Sequence, residues 1–443
     1  MTGAAALRTL RAMKSLLLAA SAVSLVAAAP APDPAELKKS VAALVSFGTR
    51  HTLSSATDPK RGIGAARTWG ANRFQAISRA CQNCLTVERP AQRFEGPRAP
   101  AGVMVEDVIA IQRGTTDPNR VIIIQGHIDS RVTDVMNATA DAPGANDDAS
   151  GSALVIEAAR ILSKERFPAT IVYALLSGEE QGLWGGKLLA DLATKRGWQV
   201  AGVLNNDIVG NTHGQGGDHV ANRIRVFSES LSAAADLPAA KTMRQIGAED
   251  DGPSRALAKL VRRVGTPNTA ALEVVTVHRP DRFGRGGDQT PFLEAGYPAV
   301  RFSEAVENYD RQHQDLRTEA GTRFGDTIDG VDFPYLAKVT ALNLAVAREL
   351  ANAPAAPSGV TIAGALKADT TVAWSPVPAA TGYRIRYRRA DKSDWTDHRD
   401  VPAATTTLVL MNINIDDTFV GVSSLAAGGA ESVVTFAGAA PRR

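Results

Sequence analysis

The chain has 443 residues, of which 44% are hydrophobic and 21% charged, and its formal net charge is +3 at pH 7. This length predicts two or three domains, and the composition is that of an ordinary globular protein, which excludes disorder of the whole chain. A charge balance so close to zero also excludes the strongly basic surface of a nucleic-acid-binding protein.

The first 31 residues have the order of a secretory signal peptide. Arg8, Arg11 and Lys14 precede an apolar run, residues 15–29, that ends in small side chains. The run is shorter than the roughly 20 apolar residues of a membrane span, and no later stretch of the sequence is long and apolar enough. We therefore expect a periplasmic or extracellular protein with no membrane span after residues 1–31 are removed.

Cys81 and Cys84 are the only cysteines in the sequence. In an exported protein, a pair with this spacing is typical of a local disulfide. A thioredoxin-like redox role would need a helix after Cys84, whereas the residues that follow, LTVE, have the pattern of a strand. A structural disulfide is therefore the favoured interpretation.

Helices and strands alternate through residues 32–352, which form the first predicted domain. Helices are predicted at 32–44, 62–80, 150–162, 186–195, 254–263, 289–295 and 335–351. Strands are predicted at 85–94, 103–112, 121–125, 170–176, 200–208, 223–227, 272–277 and 298–302. The runs at 121–125 and 170–176 are apolar except for Gln125 and Thr170 at their ends, the pattern of strands buried on both faces of a parallel sheet. The alternation predicts an α/β domain with a mostly parallel central sheet flanked by helices.

The sequence changes in character after a Pro/Ala-rich linker, residues 353–359. Residues 360–440 contain short alternating strands, such as GYRIRYRR, with turn residues between them, which predicts a small all-β sandwich. This region resembles a fibronectin type III domain: Trp374 fits the core tryptophan, and Phe419 stands where a corner tyrosine is usual. Contact with polymers or cell surfaces is an expectation for this domain.

Histidine and acidic side chains follow the buried strands of the first domain. His127, Glu179, Glu180 and Asp207 each come at or just after a strand end, and Asp147 precedes a helix. In open α/β sheets, ligands bind beyond the carboxyl ends of the strands. Imidazole and carboxylate ligands suit zinc, and one bridging carboxylate would let this set hold two ions. The pattern predicts a two-zinc hydrolytic site, in which a metal-bound water has a lowered pKa.

The order of these residues also suggests their roles. Asp147 lies between two strand ends, which favours it as the bridge. Glu179 and Glu180 are adjacent and cannot share one direction, so we predict Glu180 as a ligand and Glu179 as the general base. Asp129 is two residues past His127 and would accept the other imidazole N–H, which fixes the tautomer. Each residue alone more often has a structural role, such as a helix cap, and only their combination favours a site.

Six segments resemble motifs of peptidase family M28, the co-catalytic zinc aminopeptidases. They are GHIDS, PGANDDASG, SGEEQGLWGG, NNDIVGN, GGDQTPFLEAGYPAV and YDRQHQD. The resemblance extends over residues 40–351, which covers the whole first domain. It implies a zinc exopeptidase fold and two zinc ions as cofactors.

The resemblance also implies a ligand set. One zinc would be held by His127, Asp147 and Asp207, and the other by Asp147, Glu180 and His313. His313 is selected by the resemblance alone. Glu179 would move a proton from water to the leaving amine, and Asp129 would orient His127. Gly287, Asp288 and Gln289 stand where many relatives have Ser-Asp-His, so Asp288 is expected near the substrate but the family's specificity does not carry over.

These observations predict an exported aminopeptidase that acts on peptides. Three alternatives stay open: a single-zinc glutaminyl cyclase of the same fold, carboxypeptidase action, and a catalytically decayed protein that binds through its β-sandwich. A basic loop with Arg279, Arg282 and Arg285 precedes the substrate-side helix. These arginines would pair with a substrate carboxylate, although a solvated loop is the simpler interpretation.

Overall fold

An eight-stranded sheet forms the centre of the first domain in the computed structural model of the protein, which describes residues 31–268 and 272–440. The strands of this domain are β1 (Thr86–Glu88), β2 (Ala91–Gly96), β3 (Ala99–Glu106), β4 (Val108–Gln112), β5 (Asp117–His127), β6 (Ala169–Leu176), β7 (Gln199–Asn206), β8 (Arg223–Phe227), β9 (Glu273–Val277), β10 (Ala299–Glu304), β11 (Arg317–Glu319) and β12 (Thr322–Phe324). The order in the sheet is β1-β4-β6-β5-β7-β10-β8-β9, and β2–β3 and β11–β12 form separate hairpins. The central strands β6, β5, β7 and β10 run parallel, and the sheet is antiparallel where β4 meets β6 and where β8 meets β10.

Helices cover both faces of this sheet. They are α1 (Pro34–Val45), α2 (Ile63–Ala80), α3 (Ala149–Leu162), α4 (Glu179–Gly182), α5 (Trp184–Lys195), α6 (Leu237–Gln245), α7 (Pro253–Asn268), α8 (Thr290–Glu294) and α9 (Phe333–Asn352). Successive side chains of a strand point to opposite faces. Ile122 and Ile124 of β5 therefore pack in the layer that contains α1, α2, α3, α7 and α9, whereas Val121 and Ile123 pack with α5 and α8. This explains why the first four positions of the run at 121–125 are all apolar.

Two predicted strands are broken in the structure. The prediction at 85–94 divides into β1 and β2 at Pro90, which has no N–H to give to a sheet. The prediction at 103–112 divides into β3 and β4 at Asp107, whose N–H donates to the Pro90 carbonyl at 3.0 Å. Helix α6 was not predicted, and none of its side chains is buried.

A two-sheet sandwich follows the first domain. Its strands are β13 (Thr361–Ala363), β14 (Thr370–Ala373), β15 (Gly382–Arg389), β16 (Asp397–Pro402), β17 (Thr407–Leu410), β18 (Thr418–Leu425), β19 (Thr435–Phe436) and β20 (Gly438–Ala439). They form the sheets β17-β14-β13-β20 and β16-β15-β18-β19. Trp374 and Tyr383 meet edge to face between them, with ring centroids 5.3 Å apart. The predicted fold class is confirmed, while the assignment to the fibronectin type III group stays a prediction.

The sandwich is docked against the first domain. Arg388 of β15 pairs with Asp251 at 2.6 Å, both side chains being almost fully buried, and Lys259 of α7 contacts the same carboxylate at 2.8 Å. The predicted linker is held in place, since Ala353, Pro354 and Pro357 are buried. The chain from Pro32 onward accordingly forms one compact unit.

Cys81 and Cys84 are joined by a disulfide at the end of α2. The predicted signal segment, residues 1–31, lies outside the described residues except for its last position. Among the helices that the structure describes, none has both the length and the apolar composition needed to cross a bilayer.

Candidate metal centre

The predicted site residues meet at the carboxyl ends of neighbouring strands. His127 ends β5, Glu179 and Glu180 open α4 two residues after β6, and Asp207 follows β7. Because β6, β5 and β7 are adjacent and parallel, their carboxyl ends lie along one edge of the sheet. Gly151 lets α3 approach this edge, since a side chain there would collide with a main-chain oxygen of β7.

The two aspartates before α3 have different surroundings. Asp148 caps the helix by accepting from the Gly151 N–H at 3.0 Å, and it also accepts from the His127 N–H at 3.0 Å. Asp147 faces the other way, towards the imidazoles. Asp148 is therefore the N-cap of α3, and Asp147 is left available as a ligand.

Asp147 lies between two imidazole rings. Its Oδ1 is 3.0 Å from His127 Nε2, and its Oδ2 is 2.9 Å from His313 Nε2. Asp207 completes the first side, with Oδ2 3.9 Å from His127 Nε2, and Glu180 completes the second, with Oε1 3.1 Å from His313 Nε2. The five predicted ligands therefore converge, with one carboxylate between the two halves, although their role as ligands stays a prediction.

These residues fit zinc. Glu180 Oε1 is buried and has no hydrogen-bond partner among the described residues, although His313 Nε2 is close to it. A carboxylate oxygen and an imidazole nitrogen 3.1 Å apart are placed to bind one cation together. Burial alone would lower the pKa of His313, but Glu180 and Asp147 outweigh it and raise it to about 9. The carboxylates thus favour positive charge at this point, and a set of nitrogen and oxygen donors suits zinc.

Glu179 lies on the first side of the cluster. One of its carboxylate oxygens and the donor atoms of His127 and Asp207 lie within 4.8 Å of one another. Burial raises the pKa of Glu179 well above its usual range, and the neighbouring charges of Asp207 and Glu180 add to this against the pull of His127. This position suits a base that takes a proton beside the metals, and it is also close enough for a ligand.

Asp129 differs in part from its predicted role. His127 Nδ1 lies 3.1 Å from the main-chain oxygen of Asp129 and 3.5 Å from its carboxylate. The carboxylate accepts the Thr52 hydroxyl at 2.9 Å and the Glu180 N–H at 3.2 Å. The carbonyl is therefore the closer partner of the imidazole, and the carboxylate fixes the start of α4. Either contact places the proton on Nδ1 and leaves Nε2 free for a metal.

Several supporting residues were not predicted from the sequence. Arg131 Nε contacts Glu180 Oε2 at 2.8 Å, and Gln312 Nε2 donates to Asp147 Oδ2 at 3.0 Å. Arg131 directly follows the motif GHIDS and Gln312 lies within YDRQHQD, so a charged or amide neighbour of a ligand is the signal that could have found them. Asp326 accepts the Asp147 N–H at 2.7 Å and comes from a distant loop with no local pattern.

Arg301 holds Asp207 in place through a buried ion pair. The guanidinium is fully buried and lies 2.7 Å from Asp207 Oδ1 and 3.0 Å from Asp281 Oδ2. Burial alone would lower the pKa of Arg301, but Asp207 and Asp281 outweigh it and raise it. The residue lies on β10 between apolar positions, so no pattern in the sequence distinguishes it from other core positions.

A cavity of about 650 Å³ opens onto the cluster. Arg98, Arg131, Arg282 and Arg285 line it together with the acidic residues of the site. Asp288 is not among the residues that line it, and its position near the substrate stays a prediction. Its carboxylate is buried and accepts the Gly186 N–H in the first turn of α5 at 3.1 Å, and burial raises its pKa to about 7.

Arg279 and a second cavity lie outside this site. Arg279, from the predicted basic loop, is exposed and lies over the Phe283 ring outside the cavity. A second cavity of about 590 Å³ lies between the two domains, and none of its described lining residues is a predicted site residue. The predicted metal ligands and base therefore belong to the cavity at the strand ends and not to this one.

Comparison with known proteins gives both family and fold neighbours. The model of "Peptidase family M28" matches residues 107–331. A probable zinc metalloprotease of Leptosphaeria maculans is 43% identical over 399 residues, covering 89% of this chain and 92% of that protein. One from Pyrenophora tritici-repentis is 41% identical over 407 residues, covering 90% of this chain and 84% of that protein.

Solved structures resemble the first domain at lower identity. An aminopeptidase of Legionella pneumophila has a TM-score of 0.51 and 18% identity, over 72% of both chains. A glutaminyl cyclase of Porphyromonas gingivalis has a TM-score of 0.50 and 15% identity, over 72% of this chain and 98% of that one. At this identity the likeness concerns the fold and does not distinguish the two reactions.

Proposed function

The chain belongs to peptidase family M28 and is a zinc metallopeptidase; from that premise we propose that it is an exported two-zinc aminopeptidase. The observation that carries the proposal is the position of Asp147, with one carboxylate oxygen near each of two imidazoles. A carboxylate in that position can serve two ions, whereas a single-zinc site has no use for the second half of the cluster.

The ligands would divide as the family resemblance implies. His127, Asp147 and Asp207 would hold one ion, and Asp147, Glu180 and His313 the other. Zinc supplies Lewis acidity and lowers the pKa of a bound water to near neutrality. Arg131 holds Glu180, and Arg301 holds Asp207, so the free carboxylate oxygens stay directed into the cavity.

Glu179 is the proposed general base. It lines the cavity beside His127 and Asp207, where it would take a proton from the attacking water and pass it to the leaving amine. Its raised pKa suits this role, because a general base works best when its pKa approaches the working pH. The main-chain N–H groups of Glu179 and Glu180 donate hydrogen bonds to the Asp129 carboxylate, which holds this turn in place.

Replacement of the base tests this proposal. Glu179→Gln keeps the shape of the side chain but cannot accept the proton, so we expect kcat to fall by roughly 10²–10⁴-fold with zinc content unchanged. Glu294→Gln, an exposed carboxylate of α8, is the matched control and should retain activity. Full activity of Glu179→Gln at wild-type zinc content would refute the assignment of the base.

The substrate panel separates the remaining alternatives. Aminoacyl peptides, N-acetylated peptides and N-terminal glutaminyl peptides are incubated with and without chelator. An aminopeptidase hydrolyses only the peptides with a free amine. Hydrolysis of the N-acetylated peptides would instead indicate carboxypeptidase action, cyclisation without hydrolysis would indicate a glutaminyl cyclase, and no turnover would indicate a binding protein.

A further inference from the structure

The cavity at the metal centre carries an arginine group that the proposed chemistry does not use. We propose that this cavity selects peptides with a carboxylate close to the scissile bond, and that Arg98 and Arg285 recognise it. The inference rests on the proposed peptidase function and concerns the class of its substrates.

Each acidic side chain that lines the cavity already has a predicted role. They are Asp147, Glu179, Glu180 and Asp207. Three are predicted ligands and one is the predicted base, so none is left to pair with a cationic group of a substrate. Four arginines line the same cavity, and the zinc ions of the loaded enzyme would add positive charge. The environment therefore favours an anionic group on the substrate.

Two of the four arginines are committed to the protein. Arg131 contacts Glu180 at 2.8 Å, and its role is to orient a ligand. Arg282 is 10% exposed and contacts Asp281 at 3.3 Å and Glu307 at 3.1 Å. The charges of Arg131 and Arg282 are therefore already paired with carboxylates of the protein.

Arg98 is available to a ligand. It lies in the turn between β2 and β3, is exposed, and has no carboxylate partner among the described residues. Its one hydrogen bond to the described part of the chain goes from Nη1 to the main-chain oxygen of Glu180. That contact brings the guanidinium to the cavity and leaves its other N–H groups without a carboxylate from residues 31–268 and 272–440.

Arg285 is available for a different reason. Its side chain is 32% exposed, and both of its side-chain contacts, to Glu307 and Gln312, are made by Nη1 at 3.3 Å. Glu307 is shared with Arg225 at 2.7 Å and with Arg282. One carboxylate thus serves three guanidinium groups, and Arg285 has the longest of the three contacts.

A carboxylate from the substrate would supply the missing negative charge. Guanidinium and carboxylate groups form parallel hydrogen bonds with strong geometric preference. The anion would be either the C-terminal carboxylate of a dipeptide or the side chain of an acidic residue after the cleaved bond. A charge-assisted hydrogen bond of this kind changes a rate ratio by roughly tenfold or more.

Matched peptides test the inference and distinguish the two sources. Leucyl-alanine is compared with its C-terminal amide, and leucyl-glutamate amide with leucyl-glutamine amide. The readout is the ratio of kcat/KM within each pair for the zinc-loaded full chain. We expect at least one ratio to exceed about ten, and Arg98→Gln or Arg285→Gln to reduce that ratio several-fold. Arg279→Gln, an exposed arginine outside the cavity, should keep the wild-type ratio.

Each outcome has a separate meaning. Selectivity in the first pair assigns the C-terminal carboxylate, and selectivity in the second assigns an acidic side chain. Ratios near one in both pairs, with zinc-dependent hydrolysis of all four peptides, would overturn this inference and leave the proposed function intact. If no peptide is hydrolysed, calorimetric binding of the same four to the zinc-loaded chain gives the same comparison, and equal affinities overturn the inference.

Discussion

Replacing Arg301 by methionine removes the cation that compensates two buried carboxylates. The guanidinium is fully buried and contacts Asp207 at 2.7 Å and Asp281 at 3.0 Å. Methionine fills similar space without the charge, so both carboxylates lose this partner. Gln289 still donates to Asp281 at 2.8 Å and Arg282 contacts it at 3.3 Å, so the main loss falls on Asp207.

The size of the effect follows from this geometry. Removal of one partner from a buried ion pair costs about 3–5 kcal/mol of stability, and we expect Arg301→Met to fall in that range. The matched control is Arg223→Met, whose partner Glu273 lies at 2.8 Å on the surface, with side chains 47% and 57% exposed. An exposed pair contributes about 0–1 kcal/mol.

Urea denaturation at pH 7 measures both variants. A chelator is present throughout, because a metal that binds the folded chain would add to its stability and mask the difference. A loss of several kcal/mol for Arg301→Met beside a small loss for Arg223→Met supports the argument. Equal losses, or a loss below about 1 kcal/mol for Arg301→Met, would mean that burial does not govern this contact.

Two further predictions concern parts of the fold away from the metal centre. Burial raises the pKa of Glu229 to about 7, and no cation pairs with it among the described residues. Between about pH 4.5 and 7 this carboxyl is therefore protonated in the folded protein and ionised in the unfolded chain, so the free energy of unfolding should fall as pH rises through this range. Glu229→Gln should lessen this fall in urea midpoints, and an unchanged pH dependence would count against it. Arg388 and Asp251 form a buried pair between the domains at 2.6 Å, so Arg388→Met should cost about 3–5 kcal/mol; a neutral effect in the same denaturation experiment would indicate that the sandwich is not held by this contact.

The parallel centre of the fold was readable from the sequence because burial on both faces leaves a plain signature. Strand β5 contains the apolar run 121–124 and β6 contains the apolar run 171–176, and the polar residues that follow these runs, such as His127 and Glu179, stand out against that background. The position of Asp147 followed from the helix that begins after it. These are local patterns, and local patterns are what a sequence displays.

The remaining features depend on contacts between distant segments. Arg301 lies in an apolar strand, and nothing near it in the sequence indicates its partner. It reaches Asp207 only because β10 pairs with β7. Asp326 reaches the Asp147 N–H from a loop 179 residues away. His313 adopts φ of 57° in an irregular loop and was selected by family resemblance rather than by periodicity. The antiparallel pairing of β8 with β10 likewise cannot be read from the sequence of either strand.

The number of zinc ions per chain tests the central claim most directly. The full chain is loaded with zinc, freed of excess metal, and measured by elemental mass spectrometry against protein concentration. Two ions per wild-type chain and one per chain in His313→Ala would support a site in which Asp147 joins two halves. One ion in the wild-type chain, unchanged by His313→Ala, would contradict it.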